Sequence, residues 1–287
     1  MKRSLFLAAL LLGASFIVGG AVAADAGGSD YTPLPPAQSD FDIAFGIYGG
    51  GGIIEAGDDS YRIFGITGAF TRALDAGKSM QIAGRGEIGL ETDSDTYGGV
   101  QVDGHLFWNM SAPSAVGLVA SLAVDQADDD WNVHGLVGAA AGLRSGMVHW
   151  GGQIGWIGTL STEGNDRLGD AWFARGIVQV FIQPDLKLQG EVGYYDGRFD
   201  SDLDAFHMFT AGAEVEWKFA QRTSLFVSYD GQWTTDDTWG GTASTYQILA
   251  GLRFTLNPGS LQGGATMGPP VDAPNITRLN AIAAMNN

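Results

Sequence analysis

Cysteine is absent, so neither a disulfide-stapled scaffold nor a thiolate zinc site is open to this chain. Basic residues are scarce. Lys and Arg number 15 against 32 Asp and Glu, and the net charge is −17. That balance disfavours nucleic acid as a partner and favours cationic neighbours. Beyond the N-terminus no stretch holds ~20 consecutive apolar residues, so no spanning helix follows it. Two tempting motifs lack their context. Gly84-Arg85-Gly86 and Gly49–Gly52 do not sit in the strand–loop–helix setting of a phosphate cradle. Asp128–Asp130 lacks the ligand order, the Gly and the distal Glu of an EF-hand. No metal and no cofactor is expected.

What the chain does have is alternation. In Asp204–Asp237, Phe209, Ala211, Ala213, Val215, Trp217 and Phe219 occupy every second position, with Glu214, Glu216 and Lys218 between them. After Ala220-Gln-Arg222 the pattern resumes, with Leu225, Val227 and Tyr229 against Ser224, Ser228 and Asp230. Period-two alternation across a tight polar turn predicts a β-hairpin. Its runs are long and carry aromatics at both ends of the apolar face, as lipid-facing strands of an outer-membrane barrel do. About twelve such segments are predicted between Phe41 and Leu256. The first, Phe41–Tyr48, is the weakest, because its end blurs into Gly49–Gly52.

The connections fall into two sets. Asp75–Lys78, Ser111–Ser114, Arg144–Gly146, Pro184-Asp185 and Ala220–Arg222 are short, with Gly or Pro at several turn positions. The other set is longer and acidic. It holds Asp58-Asp59, Asp93 and Asp95, Asp125 with Asp128–Asp130, Glu163 to Asp170, Asp196 to Asp204, and Asp236-Asp237. Short turns at one end and longer loops at the other is the rhythm of an up-and-down transmembrane barrel. Trp131, Trp156, Trp172, Tyr194, Trp233 and Tyr246 fall near the long-loop end, and Trp108, Trp217, Phe219 and Phe254 near the short-turn end. Two aromatic girdles match two membrane interfaces. An even strand count puts both termini on the short-turn, periplasmic side.

The flanks read differently. Met1–Ala23 has a charged start (Lys2, Arg3), an apolar stretch from Leu5 to Val18 and an Ala21-Val22-Ala23 cleavage site, the pattern of a secretory signal peptide. Ala24–Asp40 is a Gly- and Pro-rich linker. Asn257–Asn287 carries four prolines and reads as an irregular tail. The tail is expected to extend into the periplasm, with occupation of the lumen as the alternative.

Parity assigns an inward set: Arg85, Glu87, Asp103, His105, Arg175, Gln179, Glu191, Glu214 and Glu216, joined by Gln81, Lys187, Lys218, Ser228, Asp230 and Arg253. A charge facing hydrocarbon at mid-membrane costs about 2–4 kcal/mol, so these side chains must face inward. Either they line a narrow aqueous path as a constriction, or they pair and close the lumen. His105, His134 and His149 share the inward parity, whereas His207 shares the lipid-facing parity of Phe209. None has a Ser and an Asn at a recognisable catalytic spacing, and no catalytic residue is assigned.

The pattern over Phe41–Leu256 resembles porin-like outer-membrane β-barrels of the alphaproteobacterial type. That resemblance implies a bacterial outer-membrane location, contact with its lipids and lipopolysaccharide, and passive diffusion of small hydrophilic solutes or cations without catalysis. It also implies a structural alternative. Ala24-Asp25-Ala26 resembles the mature start of barrels whose N-terminus is linked to peptidoglycan, with Ala24 the attachment residue. A third reading follows the likeness in strand number to outer-membrane phospholipases: a membrane-embedded lipid hydrolase. Many such barrels end on an aromatic assembly signal. Here the matching Gly251…Phe254…Leu256 is internal, a departure from that pattern.

Overall fold

The computed structural model describes residues 41–55, 59–75, 77–91, 96–111, 114–127, 130–162, 168–199, 205–236, 242–256, 259–264 and 272–279. The predicted leader and the linker, with Ala24, lie outside the described residues.

Twelve antiparallel strands form one closed barrel. They are β1 (Phe41–Ile54), β2 (Asp59–Asp75), β3 (Lys78–Glu91), β4 (Thr96–Ser111), β5 (Ser114–Ala127) and β6 (Asp130–Ser145). The second half is β7 (Val148–Thr162), β8 (Leu168–Gln183), β9 (Leu186–Phe199), β10 (Ala205–Ala220), β11 (Thr223–Asp236) and β12 (Thr242–Thr255). Each strand pairs with its sequence neighbours, and β1 closes on β12 from Ala44↔Thr255 to Ile54↔Thr245. Closure leaves no strand of the described barrel at a free sheet edge, as a lipid environment demands.

The strands outrun the sequence prediction. β1 continues through Gly49–Gly52 to Ile54. The glycines there make room for neighbours: a Cβ at Gly52 would lie 2.6 Å from the Tyr61 hydroxyl. The acidic connections shrink accordingly. Asp59, Asp170, Asp196 and Asp236 lie within strands, and only two residues separate β5 from β6. Asp125 is not in a solvated loop. It sits on the inner face of β5, fully buried. Length explains the difference. A strand of 14 residues runs ~46 Å at ~3.3 Å per residue, or ~35 Å along the membrane normal at a tilt of ~40°, against an apolar band of ~25 Å. The strands project beyond that band, and their acidic ends project with them.

The outer surface is apolar. Ile47, Ile66, Ile88, Val100, Leu118, Val137, Ile154, Val192, Val215, Val227 and Ile248 come from eleven strands, and each is 46–63% exposed. An exposed apolar belt encircling the molecule has no place in water and suits lipid. At its margins Trp131, Trp156 and Trp217 are exposed, Trp156 pairs across to Trp172, and Phe209 packs on Trp233 at 5.7 Å. At the short-turn end the Gly77 amide and the Lys78 ammonium hold the exposed Asp75 carboxyl below its ordinary range, fixing the β2–β3 turn.

The tail does not simply hang below the barrel. After β12 it passes the short-turn mouth, where Lys218 bonds the Gly259 carbonyl and a short helix, α1 (Leu261–Gly264), follows. The Gln262 amide donates to the Pro184 carbonyl at 3.1 Å, and its side chain to the Gly146 carbonyl at 3.3 Å. Residues 272–279 then lie inside the barrel. Ala273, Ile276 and Leu279 are buried in one cluster with Val119, Leu136, Phe173, Tyr195 and Met208 of the inner wall. The expected periplasmic extension therefore gives way, for this segment, to occupation of the lumen. The physical reason is that inward apolar side chains of β5–β10 need a dry partner, and this segment supplies it.

Candidate functional site: the barrel lumen

The inner wall is built by the same alternation that makes the belt. Neighbouring inward positions on adjacent strands bring distant residues together. Near the short-turn end Lys187 (β9), Glu214 and Glu216 (β10), Ser224 (β11) and Arg253 (β12) form one cluster. Arg253 donates to Glu214 at 2.8 and 2.7 Å and to Glu216 at 2.7 Å, and its guanidinium lies 4.2 Å from the Phe226 ring centre. Lys187 reaches Glu214 at 3.1 Å and Glu216 at 2.6 Å, and the Ser224 hydroxyl donates to Glu216 at 2.6 Å.

At mid-barrel the partners are arranged around the tail segment. Arg85 faces Asp103 at 3.6 Å. Arg175 bonds Glu191 at 3.1 Å and Gln153 at 3.4 Å. The buried Gln101 side chain donates to Asp103 at 2.6 Å. Glu87 receives the Tyr48 hydroxyl, the Arg278 guanidinium, and the Asn275 amide at 2.9 Å. Toward the far end His134 lies between the Thr159 hydroxyl (3.1 Å) and Asp125 (3.3 Å). That trio has an order familiar from hydrolases. His134 is fully buried, and the Thr159 hydroxyl is committed to backbone carbonyls of Leu168 and Gly169, so no nucleophile is presented.

A cavity of about 480 Å³ lies between the tail segment and the short-turn mouth. Arg85, Glu87, Asp103, Arg175, Gln179, Glu191 and Glu214 border it. His105 and Glu216 share the inner face but not the cavity. His105 lies against Phe107, and His149 against Phe181, with ring nitrogens that meet no hydrogen-bond partner among the described residues. His207 lies on the outer face beside Tyr194 and Asp196. Beside the segment, along β8–β12, lies a gap of about 70 Å³, room for a handful of waters.

Tyr48, Gln101, Asp125 and Thr159 escaped the sequence reading, and the tail entered it only as an alternative. Gln101 shares parity with Asp103 and His105, so that signal was present. The tail's signal was its charge. Asp272 and Arg278 are the only charged residues in Asn257–Asn287, and both are in the lumen.

A closed antiparallel barrel with an apolar exterior and a charged, partly hollow interior is the architecture of an outer-membrane β-barrel. Among solved structures the chain is similar to an outer membrane channel from Pseudomonas putida F1, at a TM-score of 0.54 and 11% identity, covering 79% of this chain and 100% of that one. It is also similar to the translocator domain of the autotransporter NalP from Neisseria meningitidis, at 0.50 and 9% identity, covering 85% and 96%. At such identities the likeness is one of fold. No protein-family model matches the chain, and no curated protein does.

Proposed function

We propose that the protein is a narrow channel of the bacterial outer membrane, passing small hydrophilic solutes with a preference for cations. The observation that carries this reading is the cavity of about 480 Å³, bordered by charged side chains inside a barrel with a lipid-compatible exterior. A lumen built only for stability would fill with side chains. The charges bordering the cavity are mixed, with Glu87, Asp103, Glu191, Glu214, Asp230 and Asp272 outnumbering Arg85, Arg175, Lys187, Arg253 and Arg278. Much of the wall charge is paired, so the field at the constriction is local and transverse. The acidic excess at the strand ends and the net charge of −17 raise cation concentration at the mouths.

Planar-bilayer recording of the refolded protein tests this. A small, cation-preferring conductance is expected. Absence of current, or a preference for anions, would sink the proposal.

A further inference from the structure

The way the wall holds residues 272–279 differs from ordinary packing of a loop. Three consecutive carbonyls each receive a donor from a different strand. Arg175 of β8 donates to Asp272 at 2.9 Å, Arg85 of β3 to Ala273 at 3.0 Å, and Gln101 of β4 to Pro274 at 2.8 Å. The Gln101 oxygen accepts the Ile276 amide at 2.8 Å, so one buried side chain reads both a backbone acceptor and a backbone donor. These contacts recognise peptide backbone. Side-chain recognition is added at two points. Arg278 reaches Glu87, and Asp230 at 3.6 Å. Ile276 and Leu279, three apart on the turn 276–279, enter the apolar cluster. Asn275 prepares that turn by accepting the Arg278 amide at 3.3 Å and the Thr277 hydroxyl at 2.8 Å, as a helix-capping Asn does. Gly99 completes the fit: a Cβ there would lie 2.7 Å from the Thr277 Cβ.

The wall is also built to survive the segment's departure. Arg85 keeps Asp103, Arg175 keeps Glu191 and Gln153, Glu87 keeps Tyr48, and Asp230 keeps Gln247 at 3.2 Å. Both arginines that hold the segment's backbone keep a wall carboxylate when it goes, while Glu87 and Asp230 exchange Arg278 for the neutral donors Tyr48 and Gln247 alone. A wall that pairs its own arginines does not need the segment to avoid stranding those two charges.

We propose that the inner wall around Arg85, Gln101, Arg175 and Glu87 is a binding site for a peptide, extended at first and then turned, with two apolar residues three apart and an Arg between them. The chain's own residues 272–279 occupy it, and their exchange with solution opens the lumen. The opening half rests on the channel reading; the binding half does not.

The experiment uses the full chain. In Ile276→Asp/Arg278→Glu the wall is intact and the chain's own segment is disfavoured. A fluorescent peptide of sequence DAPNITRL should bind this variant, measured by polarisation in detergent, and a scrambled peptide should not. The Arg-to-Ala peptide should bind roughly tenfold more weakly. The variant's conductance should exceed that of the native chain, and the peptide should bring it back down. Because the chain has no other cysteine, Gly99→Cys/Thr277→Cys gives one possible disulfide, with the two Cβ atoms ~1 Å closer than usual and a small shift needed. Oxidised, this protein should hold a conductance below that of the native chain; reduced, it should return to the native conductance. Failure of the peptide to bind the tail variant overturns the site. Binding as expected with no current in any variant keeps the site and removes the channel reading. Binding with current unchanged by peptide or disulfide overturns the gating half alone.

Discussion

Replacing Arg253 by Met tests whether the charges at the short-turn mouth act as one bonded unit. Arg253 makes three hydrogen bonds of 2.7–2.8 Å to Glu214 and Glu216. Met retains the length of the side chain and much of its contact with Phe226, and deletes the charge. Glu214 and Glu216 then share Lys187 as their one remaining cation in the cluster, with the Ser224 hydroxyl still on Glu216. Their side chains are 11% and 5% exposed, so water cannot replace the lost donors. Breaking a buried pair by removing one member costs about 3–5 kcal/mol. The Arg253 side chain is itself 31% exposed, and water around it lowers the expected loss to about 2–3 kcal/mol. Urea unfolding of the vesicle-refolded protein, followed by tryptophan fluorescence, reads this number. Adding Glu214→Gln restores one anion to one cation and should recover more than half of the loss. A loss below about 0.5 kcal/mol, the range of ordinary surface substitutions, refutes the bonded unit. Under the channel reading the single variant also removes one positive charge from the cavity wall, and the cation preference should rise.

Further expectations follow from the same geometry. Ile154→Lys, at the centre of the exposed belt, should cost about 2–4 kcal/mol in lipid refolding, and an equal cost for Trp131→Lys at the margin would contradict the assigned membrane depth. Gly65→Val places a methyl-bearing carbon about where the Tyr48 ring lies, 2.2 Å from its Cζ, and should destabilise the barrel by about 1–3 kcal/mol while turning Tyr48 away from Glu87. A double variant with Tyr48→Ala should relieve most of that penalty, and no relief would mean the strain lies elsewhere. Tethering to the cell wall predicts muropeptide on the N-terminal peptide of muramidase-released protein, and a free amine at Ala24 in every molecule rejects it.

Much of the barrel was legible because a strand has a period of two. A charged residue between apolar neighbours at that period has one tolerable direction when the other faces lipid. Arg85, Glu87, Arg175, Glu191 and Glu214 could therefore be assigned to one face by counting. Turn chemistry fixed where the chain reverses at one end, and strand number followed from the count of alternating segments. Strand length was not legible. The Gly49–Gly52 run has no side chains to alternate, and the acidic ends read as loops although backbone pairing continues through them.

Tertiary structure alone decided what fills the lumen. Composition made Asn257–Asn287 an irregular tail, since its prolines forbid a strand and its charges are only two. Its placement depends on backbone carbonyls meeting Arg85 and Gln101, paired across β3 and β4, and Arg175 of β8, which closure brings to face them. Local pattern carries no record of such a meeting, because the contacts are made to peptide groups that every residue possesses. The alternation in the chain determined the barrel and its two faces, and the closure of that barrel decided which residues meet across it and what space they leave.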